Sequence, residues 1–215
     1  FALAPLWQNA LAALAPAPPA ALAREGELRT ALGAPDVRYL LVLHADSADA
    51  VLQLSERISA RVDQWIFAHA VDDVELPSRW LPSLETRRAR QARLPDRVTL
   101  AAALDAALQD LPFQPGLFSP FIDDVEAARA LPPLTPEMFE RSPFGARLAA
   151  MLVERDGKWY GLATLDGVHD PTVLAGIAAQ TGGAVRLLDL KSESETLVAQ
   201  YRTRILQALG VAFVL

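Results

Sequence analysis

The chain has no cysteine. That excludes thiol catalysis, disulfides and thiolate metal sites, and it is compatible with an oxidising compartment in which stray thiols are avoided. Lysine is confined to Lys158 and Lys191 and histidine to His44, His69 and His169. Basic residues are outnumbered, 20 against 26 acidic, for a net charge of -6 and a pI of about 5.1. A general nucleic-acid binder carries the opposite balance. No Gly-x-Ser-x-Gly elbow, Walker loop, Gly-x-Gly-x-x-Gly turn or His-Glu-x-x-His pair occurs, so the common motifs of hydrolases, nucleotide enzymes and zinc proteases are missing. No signal-peptide pattern is visible either; a domain lying between two membrane spans does not carry one.

What is present is apolar material. At 215 residues and 52% hydrophobic, the chain can bury a sizeable core, in one elaborated domain or two small ones. The stretch 189–215 organises the reading. Ser192-Glu193-Ser194-Glu195 forms a capping-box pattern, which predicts a helix from about Glu193. Leu197, Val198, Tyr201 and Ile205 recur at helical spacing, and from Ile205 to Leu215 only Gln207 is polar, with no closing cap or last-turn cation. Residues 205–215 therefore read as the first half of a membrane-spanning helix, with a buried C-terminal helix as the alternative.

In chain order, residues 1–23 are rich in Ala, Leu and Pro, with Leu3, Leu6, Trp7, Leu11 and Leu14 at helical spacing. A second helix is expected over 19–32. The run 37–43 is almost continuously apolar, the pattern of a strand covered on both faces. Asp46 or Ser47 then caps a helix whose inner face is Val51, Leu54, Ile58, Val62 and Trp65, and 73–76 form a short strand. A block of about 82–142 reads as helical. Its pieces start at Ser83, Asp96, Ser119-Pro120, with Asp123-Asp124 in the first turn, and Thr135-Pro136. Residues 146–154 and 158–165 read as strands joined through Asp156-Gly157, a two-residue hairpin signal. Asp170-Pro171 starts a helix that stops at Gly182-Gly183, and 185–189 is the last strand. The order βαβ, helical insertion, ββαβ predicts an α+β, split β-α-β sandwich of ferredoxin-like type, with helices on one face of a mainly antiparallel sheet.

Chemistry-bearing residues are sparse. His44 follows a buried strand with Asp46 two residues on, a place where α/β enzymes put catalytic groups, but no motif supports it. His169-Asp170 is explained by a cap, and His69 lies near a helix end. Asp72-Asp73-Glu75 and Asp123-Asp124-Glu126 lack the alternating oxygen ligands and glycine of a calcium loop and read as solvated charge, so no metal is expected. Arg87, Arg88, Arg90 and Arg93 form the one basic cluster, read as a wet helix face with Glu85 and Arg88 paired. Arg87 and Arg90 are its candidates for contact with anionic headgroups. Trp80, Phe113, Phe118 and Phe121 gather among prolines, as core filling or as an apolar ligand groove.

Arg38-Tyr39-Leu40-Leu41-Val42, Leu81-Pro82-Ser83 before Gln91, Leu111-Pro112-Phe113 with Phe118-Ser119-Pro120-Phe121, and Asp189-Leu190-Lys191-Ser192 with Tyr201-Arg202 resemble the second large extracytoplasmic loop of MMPL-type exporters. These belong to the resistance–nodulation–division (RND) superfamily, and the resemblance is to the predicted exporters encoded beside xanthomonadin and other aryl-polyene pigment genes. It covers nearly the whole chain and implies an RND porter-like domain on the periplasmic side of a bacterial inner membrane. The implied function is non-enzymatic: proton-driven export of lipid-like or pigment-lipid cargo, with no cofactor and no nucleic acid. Its partners are that cargo, membrane lipid and the other domains of the same exporter chain, and the proton-relay carboxylates lie elsewhere, in membrane helices. Residues 1–33 are then a membrane-proximal connector, 34–190 the porter-like domain and 191–215 the helix entering the bilayer. Trp80, Phe113, Phe118 and Phe121 are the cargo-path candidates. The alternatives are a membrane-anchored periplasmic binding or sensory module, and a small α/β hydrolase or transferase using His44 and Asp46.

Overall fold

The computed structural model describes residues 17–31, 38–114 and 116–214. The connector around Trp7 and the chain end at Leu215 lie outside them. A helix α1 (Pro19–Ala31) precedes strand β1 (Tyr39–Ala45), helix α2 (Ala48–Phe67), strand β2 (Asp73–Glu75) and the single turn α3 (Pro77–Trp80). A helical arm follows: α4 (Leu84–Ala92), α5 (Arg97–Leu108), α6 (Ser119–Ala130) and α7 (Pro136–Glu140). The chain returns through α8 (Gly145–Met151), β3 (Leu152–Arg155), β4 (Lys158–Asp166), α9 (Pro171–Gln180), β5 (Val185–Asp189) and α10 (Leu190–Val214).

The sheet is antiparallel, in the order β2-β4-β1-β5, with β3 on β4 as well. One edge of β4 carries β1, while β2 and β3 share the other, opposite Thr164–Asp166 and Lys158–Gly161 respectively. Because β1 and β2 both run against β4, they are parallel to one another with β4 between them. By the same logic β4 and β5 are parallel with β1 between them. The architecture is thus α+β, with two interleaved split β-α-β units crossing through α2 and α9.

Alternation puts Leu41 and Leu43 on the helix-covered face beside Gly161, Ala163 and Leu165 of β4. α2 supplies Val51, Leu52, Leu54, Ile58, Val62 and Trp65 to the same core, α8 Leu148 and α9 Leu174. Each such side chain stabilises the fold by about 1.5–3 kcal/mol relative to exposure. The small residues of β4 let α2 lie close: a Cβ on Gly161 would come within 2.6 Å of Val51 Cγ1. Ser47 caps α2, accepting from the Ala50 N–H at 3.1 Å. Its far end closes with His69 in the left-handed region (φ 53), the His69 N–H reaching Ile66 O and the Ala70 N–H reaching Trp65 O.

Several expectations are corrected. The first strand starts two residues later than 37 and includes His44, which therefore lies within β1 and not past it. Its second face is not covered among the described residues: Leu40 and Val42, with Leu162 and Leu188 beside them, are only half-buried and stand outside the core. Residues 146–151 are helix, not strand. Gly145-Ala-Arg-Leu-Ala-Ala-Met has no β-branched residue, and Leu148 and Met151 bury one face at helical spacing. Only Leu152–Arg155 pairs with β4, through Asp156 (φ 54) and Gly157 (φ 72), the two positive angles of a type I′ turn. α6 begins at Ser119, so Asp123 and Asp124 fall beyond its first turn. α10 starts at Leu190, not Glu193. Its cap is Asp189, whose carboxylate accepts from the Lys191 and Ser192 N–H groups at 3.0 and 3.2 Å, while Ser194 Oγ donates to Leu190 O. Arg38 also grips Asp189 and, as the main cause, holds its carboxyl below the usual range. Among the described residues no helix is long and apolar enough to cross a membrane.

Candidate functional site

The four aromatic candidates do not form one group. Trp80 ends α3 at the β2 edge, its ring 5.9 Å from Phe144 and its indole N–H donating to Glu75 Oε1 at 3.0 Å. Arg147 of α8 grips the same carboxylate with two N–H groups, and Arg79 pairs with Asp73 at 3.1 Å. These side chains, with Thr164 and Asp166, line a hollow of about 390 Å³. Partial burial pushes the Glu75 carboxyl up, but Arg147, Trp80 and Thr164 together pull it further down, so its net position is below the ordinary value. With each arginine engaged by an acid, this hollow works as a lock. It fastens the returning end of the arm to the sheet edge.

Phe113 and Phe118 do meet, edge to face with centroids 5.5 Å apart. They wall a hollow of about 290 Å³ between the end of α5 and the start of α6, together with Leu104, Leu108 and Ile122. Asp105, Gln109, Gln114, Gly116 and Ser119 complete its lining. Phe121 does not line it, and its side chain is 49% exposed on α6. Sequence reading named the two phenylalanines for this place; Leu104 and Leu108 belong to the helical repeat Leu100, Leu104, Leu108 and Leu111, which reads as a helix face, and Ile122 lies outside that repeat.

None of α4, α5, α6 and α7 contains a fully buried residue. Val98, Leu111, Phe113, Leu117, Phe121 and Leu131 are each about half exposed or more. Apart from Phe139 of α7, which packs against the core, the arm is tied mainly by polar bonds. Ser83, Asp96 and Thr135 cap their helices, and Gln91 Nε2 donates to Ala128 O and Leu131 O at the end of α6. At its entry, Asp49 and Glu56 of α2 accept from the Leu84 and Ser83 N–H groups at 2.6 and 2.8 Å, placing carboxylates at the helix N-terminus that favours them.

That clamp corrects the reading of Arg87. Its side chain is only 13% exposed and points inward, 3.7 Å from Asp49, so it is not placed to meet a headgroup. Arg90 is exposed. Arg88 lines a separate shallow hollow with Gln91, Glu126 and Arg129.

The histidines gather no catalytic set. His44 lies 6.4 Å from the Tyr160 ring, while Asp46 is engaged by Lys158, which is the main reason its carboxyl sits below the usual range. His169 Nε2 is 3.0 Å from Asp72 Oδ1, and Asp170 caps α9 through the Thr172 N–H. Among the described residues no three potential metal-binding side chains converge. A hollow of about 740 Å³ runs along one flank of α10 and is lined by that helix alone, without converging functional groups. No protein-family model, curated protein or solved structure matches the chain.

Proposed function

We propose that this chain is the periplasmic, porter-like domain of a proton-driven inner-membrane exporter, and that its helical arm meets a lipid-like cargo. The observation that carries the reading is the arm's surface. An α/β core holds out four helices with no fully buried residue, with Leu111, Phe113, Leu117 and Phe121 about half exposed and with Phe113 and Phe118 walling a small hollow. Apolar surface left exposed in this way marks contact with another apolar body. The interleaved split β-α-β core supports the reading because the resemblance implies that architecture for porter domains. A rigid sheet of this kind can rock as a unit against a related domain. α10 leads from the sheet at Asp189 towards the apolar run 205–215, which in this reading approaches the bilayer. The polar first half of α10, with Glu193, Glu195, Arg202 and Arg204, stands outside it.

Location is directly testable. With the exposed Ala89 changed to Cys in the full gene product, and any cysteine outside these 215 residues changed to Ser, a membrane-impermeant maleimide should label cells whose outer membrane alone has been opened. Labelling only after the inner membrane is broken would exclude the periplasmic assignment. For transport, Phe113→Ala with Phe118→Ala should lower lipid export while leaving the amount of protein in the membrane unchanged. Undiminished export removes these residues from the cargo path.

A further inference from the structure

The hollow between α5 and α6 has a one-sided chemistry. Its walls are Leu104, Leu108, Phe113, Phe118 and Ile122, and its polar lining is Asp105, Ser119 and the neutral amides of Gln109 and Gln114, with no cation among them. The sequence deepens the asymmetry, because no Lys or Arg occurs from Val98 to Ala128 whereas Asp105, Asp110, Asp123, Asp124 and Glu126 do. The two cations that bound this stretch, Arg97 and Arg129, are paired with Asp123 and Glu126. At about 290 Å³ the space lies at the small end of ligand hollows and suits one chain, not a bulky double-tailed lipid.

We propose that this hollow receives the single hydrocarbon tail of an amphiphile whose head carries no negative charge. The tail replaces water against Leu104, Leu108 and the two rings. The head stays at the margin, where Gln109 and Gln114 offer amide donors and acceptors and Asp105 repels an anion. Such an amphiphile is the cargo class of the exporter reading, on which its transport role rests; the binding itself is a property of the chain alone.

The test uses the whole 215-residue chain and the displacement of N-phenyl-1-naphthylamine, a neutral dye that brightens in apolar surroundings. Monolaurin, lauroylcholine and laurate, each below its micelle concentration, present one tail on neutral, cationic and anionic heads. Monolaurin and lauroylcholine should displace the dye, and laurate should be weaker by roughly ten-fold, the repulsion of two like charges about 12 Å apart at an effective dielectric constant of about 20. Leu108→Trp, which fills the space, should abolish dye binding with helical content by circular dichroism unchanged. Asp105→Lys, on the exposed margin, should bring laurate level with monolaurin or ahead of it. Laurate binding as tightly as monolaurin to the unaltered chain overturns the proposal, as does dye binding that survives Leu108→Trp. If the head-group order holds while the Ala89→Cys label reports the cytoplasmic side, the tail site stands and the exporter reading falls. Labelling from outside with unselective displacement gives the reverse.

Discussion

Leu41 on β1 is fully buried, whereas Val98 in the first turn of α5 is 78% exposed. The contrast runs through the two regions they belong to. In the α/β core, burial does the stabilising: β1, α2, β4 and α9 interlock around apolar side chains, and even the buried Ser55 hydroxyl is satisfied, donating to Ser78 Oγ and accepting from the Ser78 N–H. In the arm, order comes from caps, each contributing about 1 kcal/mol, and from fastenings at its two ends. Asp49 and Glu56 hold the entry; Glu75 and Trp80 hold the exit through Arg147 and Phe144. A region organised in this way leaves Val98, Leu111, Leu117 and Leu131 half exposed or more.

The contrast can be broken most decisively at its two extremes. Leu41→Ala should cost about 2–5 kcal/mol in chemical denaturation, and Val98→Ala less than about 0.5 kcal/mol; equal costs would erase the distinction. Next comes the entry clamp. Asp49→Ala combined with Glu56→Ala leaves two helix N–H groups and Arg87 without their carboxylates, a loss of about 1–3 kcal/mol to the docking of α4. Amide exchange in α4 to α6 should speed up while that of β4 stays slow. Uniform acceleration would mean that arm and core unfold together. A smaller effect, of opposite sign, is expected at the core's own imperfection. His69→Gly relieves a left-handed residue at the end of α2 and should raise stability by about 1 kcal/mol.

The smallest effect concerns acid. Glu75 titrates below its ordinary value of 4.5 in the folded chain. Its contribution is therefore fully present above that value and is lost as pH falls through the lowered one. The melting temperature of the parent chain should drop more steeply below about pH 4.5 than that of Glu75→Gln. Parallel curves would show that the exit lock adds nothing.

Local signals carried much of this fold. Asp156-Gly157 demands two positive φ angles, Asp170-Pro171 presets a helix start, and Val51, Leu54, Ile58, Val62 and Trp65 can share a face only if the segment is helical. Their order pointed to an α+β, split β-α-β arrangement, whereas the strand order β2-β4-β1-β5 is set by pairings distant in sequence. Where the reading failed, the deciding partner was distant in sequence. Arg87 turns inward because Asp49, far upstream, meets the start of α4, and nothing within α4 itself announces that choice. Ser192 matched a capping box, yet Asp189 was already placed to cap by its seat at the end of β5. The aromatic group split for a similar reason: Trp80 is drawn to Glu75 and Phe144 at the sheet edge, while Phe113 and Phe118 meet across a local turn.

β4 is the strand on which the sheet converges, bonded to β1, β2 and β3, and it is made late. More than eighty residues separate Glu75 at the end of β2 from Lys158 at the start of β4. At about 5–20 residues per second, a ribosome takes roughly 4–16 s to cross that interval. Until then β1 and β2 have no ladder to join, since in the finished sheet neither touches the other. The arm, emerging in the meantime and relying on near-neighbour bonds, can coil first. The nascent protein must therefore hold two strands unpaired, the apolar β1 and the short, acid-flanked β2, a period of exposure that a chaperone can shorten.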